Sequence, residues 1–214
     1  TVVSTRALSP RQAVVMAAVF NLAGVLSGTA VATTIGKGII DPSVIDLVTV
    51  GSAMVGIIIW SSVAARWGIP TSESHALVAG LAGAGIATAG PGVLMASGWY
   101  KVGIGILFST VLGFGGGLLI MSGVYWFFRK YEPREVRGSF RWLQVLSAAF
   151  MAFTHGSNDG QKFMGVFTLA LVLGGVLPGF QIPLWVILMC AGVMALGTMT
   201  GGWSIMKTMG MKIT

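Results

Sequence analysis

"FTHGSNDGQKFMG", residues 153–165, sets a histidine, a serine, an asparagine, an aspartate, a glutamine and a lysine between two long apolar runs. Only 9% of the 214 residues are charged and 55% are hydrophobic. Soluble domains run at about 25% charged. A chain this poor in charge cannot cover a water-facing surface, and its mean hydropathy of +0.87 predicts an integral membrane protein. The polar cluster therefore needs a reason at membrane depth, where ionisable side chains are costly unless they pair or serve a pathway.

Working outward from the cluster, a bilayer core of about 30 Å asks for roughly 20 apolar residues per helix. Such runs lie at 12–35, 44–65, 75–97, 103–128, 142–177 and 182–203. They are long and do not alternate, so strands are not expected. The run 142–177 is too long for one span, and Thr154 to Lys162 interrupt it. The pattern predicts two half-helices with a break near Gly156. Irregular backbone at membrane depth survives only when buried in protein or lining a wet cavity, so the break itself marks a site. The 32 glycines suit close packing of membrane helices.

The net charge of +7 does not indicate a nucleic-acid partner. The cations form no basic face and gather between apolar runs, as topology signals do. Arg6 and Arg11 precede the first run, and Arg66 follows the second. Arg129, Lys130, Arg134, Arg137 and Arg141 follow the fourth, and Lys207 and Lys212 follow the last. If every run crosses once, all of these share one side, the cytoplasmic one by the positive-inside rule. The opposite side receives Lys37 and Lys101 with Asp41 and Asp46. The segment 129–141 reads as a cytoplasmic loop, and 75–97 fits either a span or a re-entrant hairpin. Aromatic residues at 99, 100, 125, 126 and 142 flank the runs as interfacial belts do. Cys190 stands alone in an apolar run and reads as a packing residue.

A second polar stretch is "GIPTSESHALVAG", residues 68–80. Pro70 suits the first turn of a helix. Thr71, Ser72 and Ser74 then bring hydroxyls to a helix start, where free amides and the positive dipole end favour an anion. An ordinary capping segment is the competing reading. Glu73 and His75 weigh against it, because an acid and an imidazole near lipid are costly unless used. In the first cluster a helix would place His155 and Asp159 at i,i+4 and Asp159 and Lys162 at i,i+3, all on one face. Asp159 could pair with Lys162 in a purely structural ion pair. It could also coordinate a cation, carry a coupled proton, or accept a hydrogen bond from a protonated oxyanion. The last role favours hydrogen phosphate over sulfate.

Catalysis fits poorly. His155, Ser157 and Asp159 are too close in sequence to converge as a triad. Two histidines make a poor metal-ligand set, there is no Walker loop, and no cofactor is expected.

At these motifs the chain resembles the PiT family of inorganic phosphate transporters. The stretches that carry the resemblance are "TVVSTRALSPRQAVVMAAVFNLAGVLSG" (1–28), "GIPTSESHALVAGLAGAG" (68–85), "FTHGSNDGQKFMG" (153–165) and "ALGTMTGGWSIMKTMGMKI" (195–213). The resemblance implies an all-α, polytopic transmembrane bundle with broken or re-entrant helices from two inverted repeats. Residues 1–128 would be the latter part of the first repeat and 142–214 the first part of the second. It further implies ion-coupled symport of inorganic phosphate across the plasma membrane. Thr71, Ser72, Ser74 and His75 match the first repeat's hairpin tip, and Ser157, Asn158 and Asp159 match the second repeat's Asn-Asp motif. Substrate contact is expected from Thr71, Ser72, Ser74, His75, Ser157 and Asn158. Coupling-ion or proton handling is expected from Asp159, Glu73 and Lys162. Gln161 and Lys162 resemble a bacterial variant of the motif, where other members place Ala-Asn. The partners implied are phosphate, the lipid bilayer and a coupling cation, whether proton, sodium or a metal–phosphate complex; association into a homo-oligomer stays open. A sulfate permease and a non-transporting scaffold or receptor are the alternative readings. The chain starts at Thr1 without a Met, and the remaining family motifs would fall before Thr1 and after Thr214. A piece of a longer protein is expected.

Overall fold

The computed structural model describes residues 2–200 and residue 208. Among them the chain is helical, with one isolated antiparallel bridge between Ile40 and Leu94. In order come α1 (Pro10–Leu26), α2 (Ala30–Gly38), α3 (Leu47–Trp67), α4 (Glu73–Ala89), α5 (Ala96–Phe128), α6 (Pro133–His155), α7 (Gln161–Leu173) and α8 (Leu184–Thr200). A 3-10 turn, Pro91–Val93, precedes α5, and a π-helical turn, Gly156–Gly160, joins α6 to α7.

Local chemistry sets the starts. Ser9 and Gln12 form a reciprocal capping box ahead of Pro10, which sits where its missing N–H costs nothing. At α3 the Asp46 carboxylate accepts from the Thr49 N–H at 2.8 Å and the Thr49 hydroxyl at 2.7 Å. Glu132 and Glu135 do the same work for α6, again with a proline, Pro133, in the first turn.

Among the described residues α3 and α5 are each long and apolar enough to cross a membrane, and α1 with α2 makes a third such unit bent by 68°. This departs from the sequence reading in instructive ways. The run 12–35 is not one straight helix; it breaks at residues 27–29. The expected break near Gly156 is instead a π turn, and the backbone stays helical from Pro133 to Leu173. One turn of π geometry inserts an extra residue without freeing a row of backbone groups, which hydrocarbon would punish. The run 75–97 is not one helix either, because α4 ends at Ala89 and Gly90 turns the chain with φ 78°. The interval 129–141 is non-helical only over 129–132. The box at Glu132 and Glu135 starts α6 early, before the apolar pattern begins. Residues 201–203 of the last run, and Lys207 and Lys212, lie outside the described residues.

The core has two parts. Ile35, Ile39, Ile40, Val50, Ile57, Leu77, Leu81 and Leu169 bury each other where α2, α3, α4 and α7 meet. Val25, Ala32, Met164, Val186 and Ala191 join α1 and α2 to α7 and α8. By contrast, none of the most apolar stretch of α5 is buried within the chain. Phe108, Leu112, Phe114, Leu119 and Ile120 all face outward. An apolar surface of that extent suits hydrocarbon and would associate in water.

A close helix crossing, α1 against α6, depends on Gly24. A Cβ there would lie 2.1 Å from the Phe153 carbonyl oxygen and 2.7 Å from the Ser157 amide nitrogen, both backbone atoms that cannot rotate away. Gly24→Ala is expected to cost about 1–3 kcal/mol, the usual range for overpacking. It should lower the thermal unfolding midpoint of the detergent-solubilised protein. Gly113→Ala on α5, whose added methyl meets nothing within 4 Å, should not. Equal midpoints for Gly24→Ala and wild type would show that the crossing is not close-packed.

Candidate functional site

The π turn is held by α1. Gly156 lies against the backbone of Asn21, where a Cβ would come within 2.1 Å of the Asn21 carbonyl oxygen. Gly160 meets Val25 one turn on, at 2.3 Å from a side-chain methyl for the same imagined atom. Both glycines of the motif are thus contact points, and the polar residues between them are presented from a fixed backbone.

Asp159 is the centre of what they present. Its Oδ1 accepts from Lys162 Nζ at 2.8 Å and from the Ser74 hydroxyl at 3.1 Å. Lys162 Nζ also donates to Ser74 Oγ. Its other oxygen, Oδ2, lies 3.3 Å from His155 Nε2. Asp159 and Lys162 are largely withdrawn from solvent, with side-chain exposures of 21% and 17%. A carboxylate there is tolerable because the Lys162 ammonium and the Ser74 hydroxyl donate to it. Ser74 comes from the first turn of α4, so the two polar stretches of the sequence meet at this carboxylate.

From His155 the network continues outward. Its Nδ1 lies 3.0 Å from Asn21 Oδ1, and Asn21 Nδ2 donates to Thr198 Oγ1 at 2.9 Å. Asn21 therefore offers His155 its oxygen, which assigns the Nδ1 proton and leaves Nε2 aimed at Asp159. Asn21 is only 2% exposed, and it ties α1 and α8 to the site.

Ser157 and Gln161 face the break between α1 and α2. Ser27 Oγ donates to Ser157 Oγ at 3.2 Å. Buried Gln161 accepts from the Val31 N–H at 3.2 Å, satisfying an amide at the start of α2, and its Nε2 donates to Ser157 at 3.4 Å. The unwound backbone expected at the motif is thus found directly across from it.

The other expected residues are placed as follows. α4 begins at Glu73, not at Pro70, because Ser72 is the N-cap and accepts from the His75 N–H at 3.3 Å. Thr71 is half-buried in the extended segment before that cap. Glu73 accepts from the Ser61 hydroxyl of α3 at 2.6 Å. His75 lines an apolar groove between α3 and α4 with Gly56, Ile57 and Trp60. Asn158 is exposed and donates to the Thr154 carbonyl at 2.8 Å. The structure therefore gathers Ser74, Asp159 and Lys162, holds Ser157 beside them on the same turn, and gives Ser72, Glu73 and His75 other partners. Sequence reasoning missed Asn21, Ser27 and Thr198. A lone asparagine in the run "AVFNLAG" was the available signal, since an amide in an apolar helix needs a partner.

Among the described residues no group of three or more His, Cys, Asp or Glu side chains could hold a metal ion. Asp159 receives its hydrogen bonds from one ammonium and one hydroxyl, those of Lys162 and Ser74.

The chain is 43% identical to a probable low-affinity inorganic phosphate transporter of Rhizobium meliloti (strain 1021), an alignment covering 100% of this chain and 65% of that protein. It is 40% identical to the protein of the same description from Bacillus subtilis (strain 168), again over 100% of this chain and 65% of the relative. It therefore spans a little under two thirds of the length of either. Its fold is similar to a solved structure described as the sodium-dependent phosphate transporter, with a TM-score of 0.77 and 22% identity over 100% of this chain and 72% of that one. Residues 1–214 match the phosphate transporter family. With a membrane-suited helical fold, two motifs converging on one buried carboxylate, and a match over its whole length, the chain belongs to the phosphate transporter family.

Proposed function

We propose that this chain forms part of an ion-coupled symporter that carries inorganic phosphate across the plasma membrane, as a multi-pass protein. The observation that carries the proposal is the Asp159 cluster: a largely buried carboxylate, an ammonium, an imidazole and a hydroxyl, drawn from two separate motifs. Lys162 and Ser74 would donate to phosphate oxygens, with Ser157 and Asn158 on the π turn and Thr71 at the approach to α4. Asp159 would accept the proton of hydrogen phosphate or release its own as the site changes access. A sulfate ion has no proton to offer that carboxylate.

The coupled species we infer is a proton. Asp159 Oδ1 already holds the Lys162 ammonium, which a sodium ion would have to displace. A proton needs no coordination cage, and His155 offers it a second acceptor within reach of Asp159. The division into two inverted repeats, with 1–128 in the first and 142–214 in the second, belongs to the same proposal.

Asp159→Asn in the full-length protein should abolish phosphate uptake into proteoliposomes while leaving membrane insertion and monodispersity unchanged. Uptake at the wild-type rate would remove Asp159 from the mechanism. Ser74→Ala should raise the phosphate KM by about 10- to 100-fold, the value of roughly 1.5–3 kcal/mol for a hydrogen bond to a charged group. Ser72→Ala should leave KM nearly unchanged and lower stability by about 1 kcal/mol, as expected for a lost N-cap. Finally, a protonophore should stop uptake and replacement of sodium by choline should not; the reverse result would assign the coupling to sodium.

A further inference from the structure

A second polar cavity lies away from the Asp159 cluster, where the C-terminal end of α2 crosses the N-terminal end of α5. It measures about 490 Å³ and is lined by Thr33, Thr34, Lys37, Ser97, Gly98 and Lys101, among others. The crossing is very close. A Cβ on Gly98 would fall 1.6 Å from the Gly38 carbonyl oxygen, so only glycine permits it. Two backbone hydrogen bonds brace it, Met95 N–H to Ile39 O at 3.2 Å and Asp41 N–H to Val93 O at 2.9 Å. Residues one step before Gly38 and three steps after Gly98 are thereby brought to one cavity, and both are lysines.

The charge there is unbalanced. Lys37 offsets the negative end of the α2 dipole and lies 5.0 Å from the Phe180 ring centroid. Lys101 has no such counterweight. It lies in the second turn of α5, whose N-cap residue Met95 provides no side-chain cap. No carboxylate among the described residues lies within 4.0 Å of either lysine. The acids on this face are occupied elsewhere. The Ser43 hydroxyl, then its N–H, hold the Asp41 carboxyl below the usual range, and the Thr49 hydroxyl and N–H do the same for Asp46. Both lysines are exposed, and the Ser97 hydroxyl lines the same cavity.

α5 has 33 residues, roughly 50 Å at 1.5 Å per residue, so this cavity and the arginine-rich segment after α5 lie at opposite ends of one helix. Lys37 and Lys101 are the two cations that the charge pattern leaves on that face. We propose that they form a phosphate-group-binding site at this mouth of the protein, distinct from the Asp159 cluster. Its occupant is a tetrahedral phosphate group, either free inorganic phosphate gathered from solution or the headgroup of an anionic phospholipid. Surface charge of this kind raises the local anion concentration and is screened by salt.

The test is lysine footprinting with isotopic acetic anhydride on the full-length protein in nanodiscs, read by mass spectrometry. In phosphatidylcholine nanodiscs, 10 mM inorganic phosphate replaces chloride at matched ionic strength. In a second arm, without phosphate, phosphatidylglycerol replaces half the lipid. At least a threefold slower labelling of both Lys37 and Lys101 is expected in one arm, and that arm identifies the source. The protection should persist in Asp159→Asn, which separates this site from the central one. Lys101→Gln should abolish protection of Lys37, since the two share one guest. Unchanged labelling in both arms, or protection of Lys37 that survives Lys101→Gln, would overturn the proposal.

Discussion

The structure depends on how one carboxylate is kept largely out of solvent. Asp159 is surrounded by Lys162, Ser74 and His155, and each of these enters from a different direction. Lys162 belongs to the following helix, Ser74 to the start of α4, and His155 to the end of α6. Removing water from such a group costs several kcal/mol, which only close opposite charge and hydrogen bonds offset. The requirement spreads: His155 needs Asn21, and Asn21 needs Thr198. A chain of satisfied polar groups thus runs through five helices and the π turn. It gives the bundle one arrangement among the many that apolar packing alone would allow, because a half-satisfied network would be worse than none.

Glycine makes that network reachable. Gly24, Gly156 and Gly160 let α1 and the π turn touch backbone to backbone, so short side chains such as Ser27 and Ser157 can meet across the contact. The π turn keeps every residue from Pro133 to Leu173 helical and still shifts the polar face by one position. The true interruption lies opposite, at residues 27–29, where Gln161 receives an amide from the start of α2. One partner stays helical and the other opens, and the open one borrows its missing hydrogen bond from the first. This is how an irregular segment persists without water.

The same device, a glycine at a crossing, builds a second and more exposed arrangement at the far end of α5. There it brings together two lysines instead of an ion pair. The central cluster balances its charge internally, whereas the two lysines of the peripheral cavity have no carboxylate within 4.0 Å among the described residues. The long apolar flank of α5 separates these positions from the arginine-rich segment and matches its surface to lipid.

Much was legible in the residues alone. The scarcity of charge, the long non-alternating runs and the segregation of cations determined an all-helical membrane protein, because hydrocarbon admits few other solutions. The two polar stretches were visible as sites, since an aspartate, a glutamate and two histidines stand out against such a background. Pairing of Asp159 with His155 and Lys162 followed from helical spacing. What spacing could not reveal was contact across distant segments. Ser74, not Ser72, reaches Asp159, because Ser72 is consumed as the N-cap of a helix that starts three residues later than Pro70 suggests. Asn21 became a site residue, and the break moved from Gly156 to residues 27–29, only when α1 was laid against α6. Local sequence determines which groups must be satisfied; tertiary packing decides which partner satisfies them, because hydrogen bonds and close backbone approach depend on distances that the order of residues does not contain.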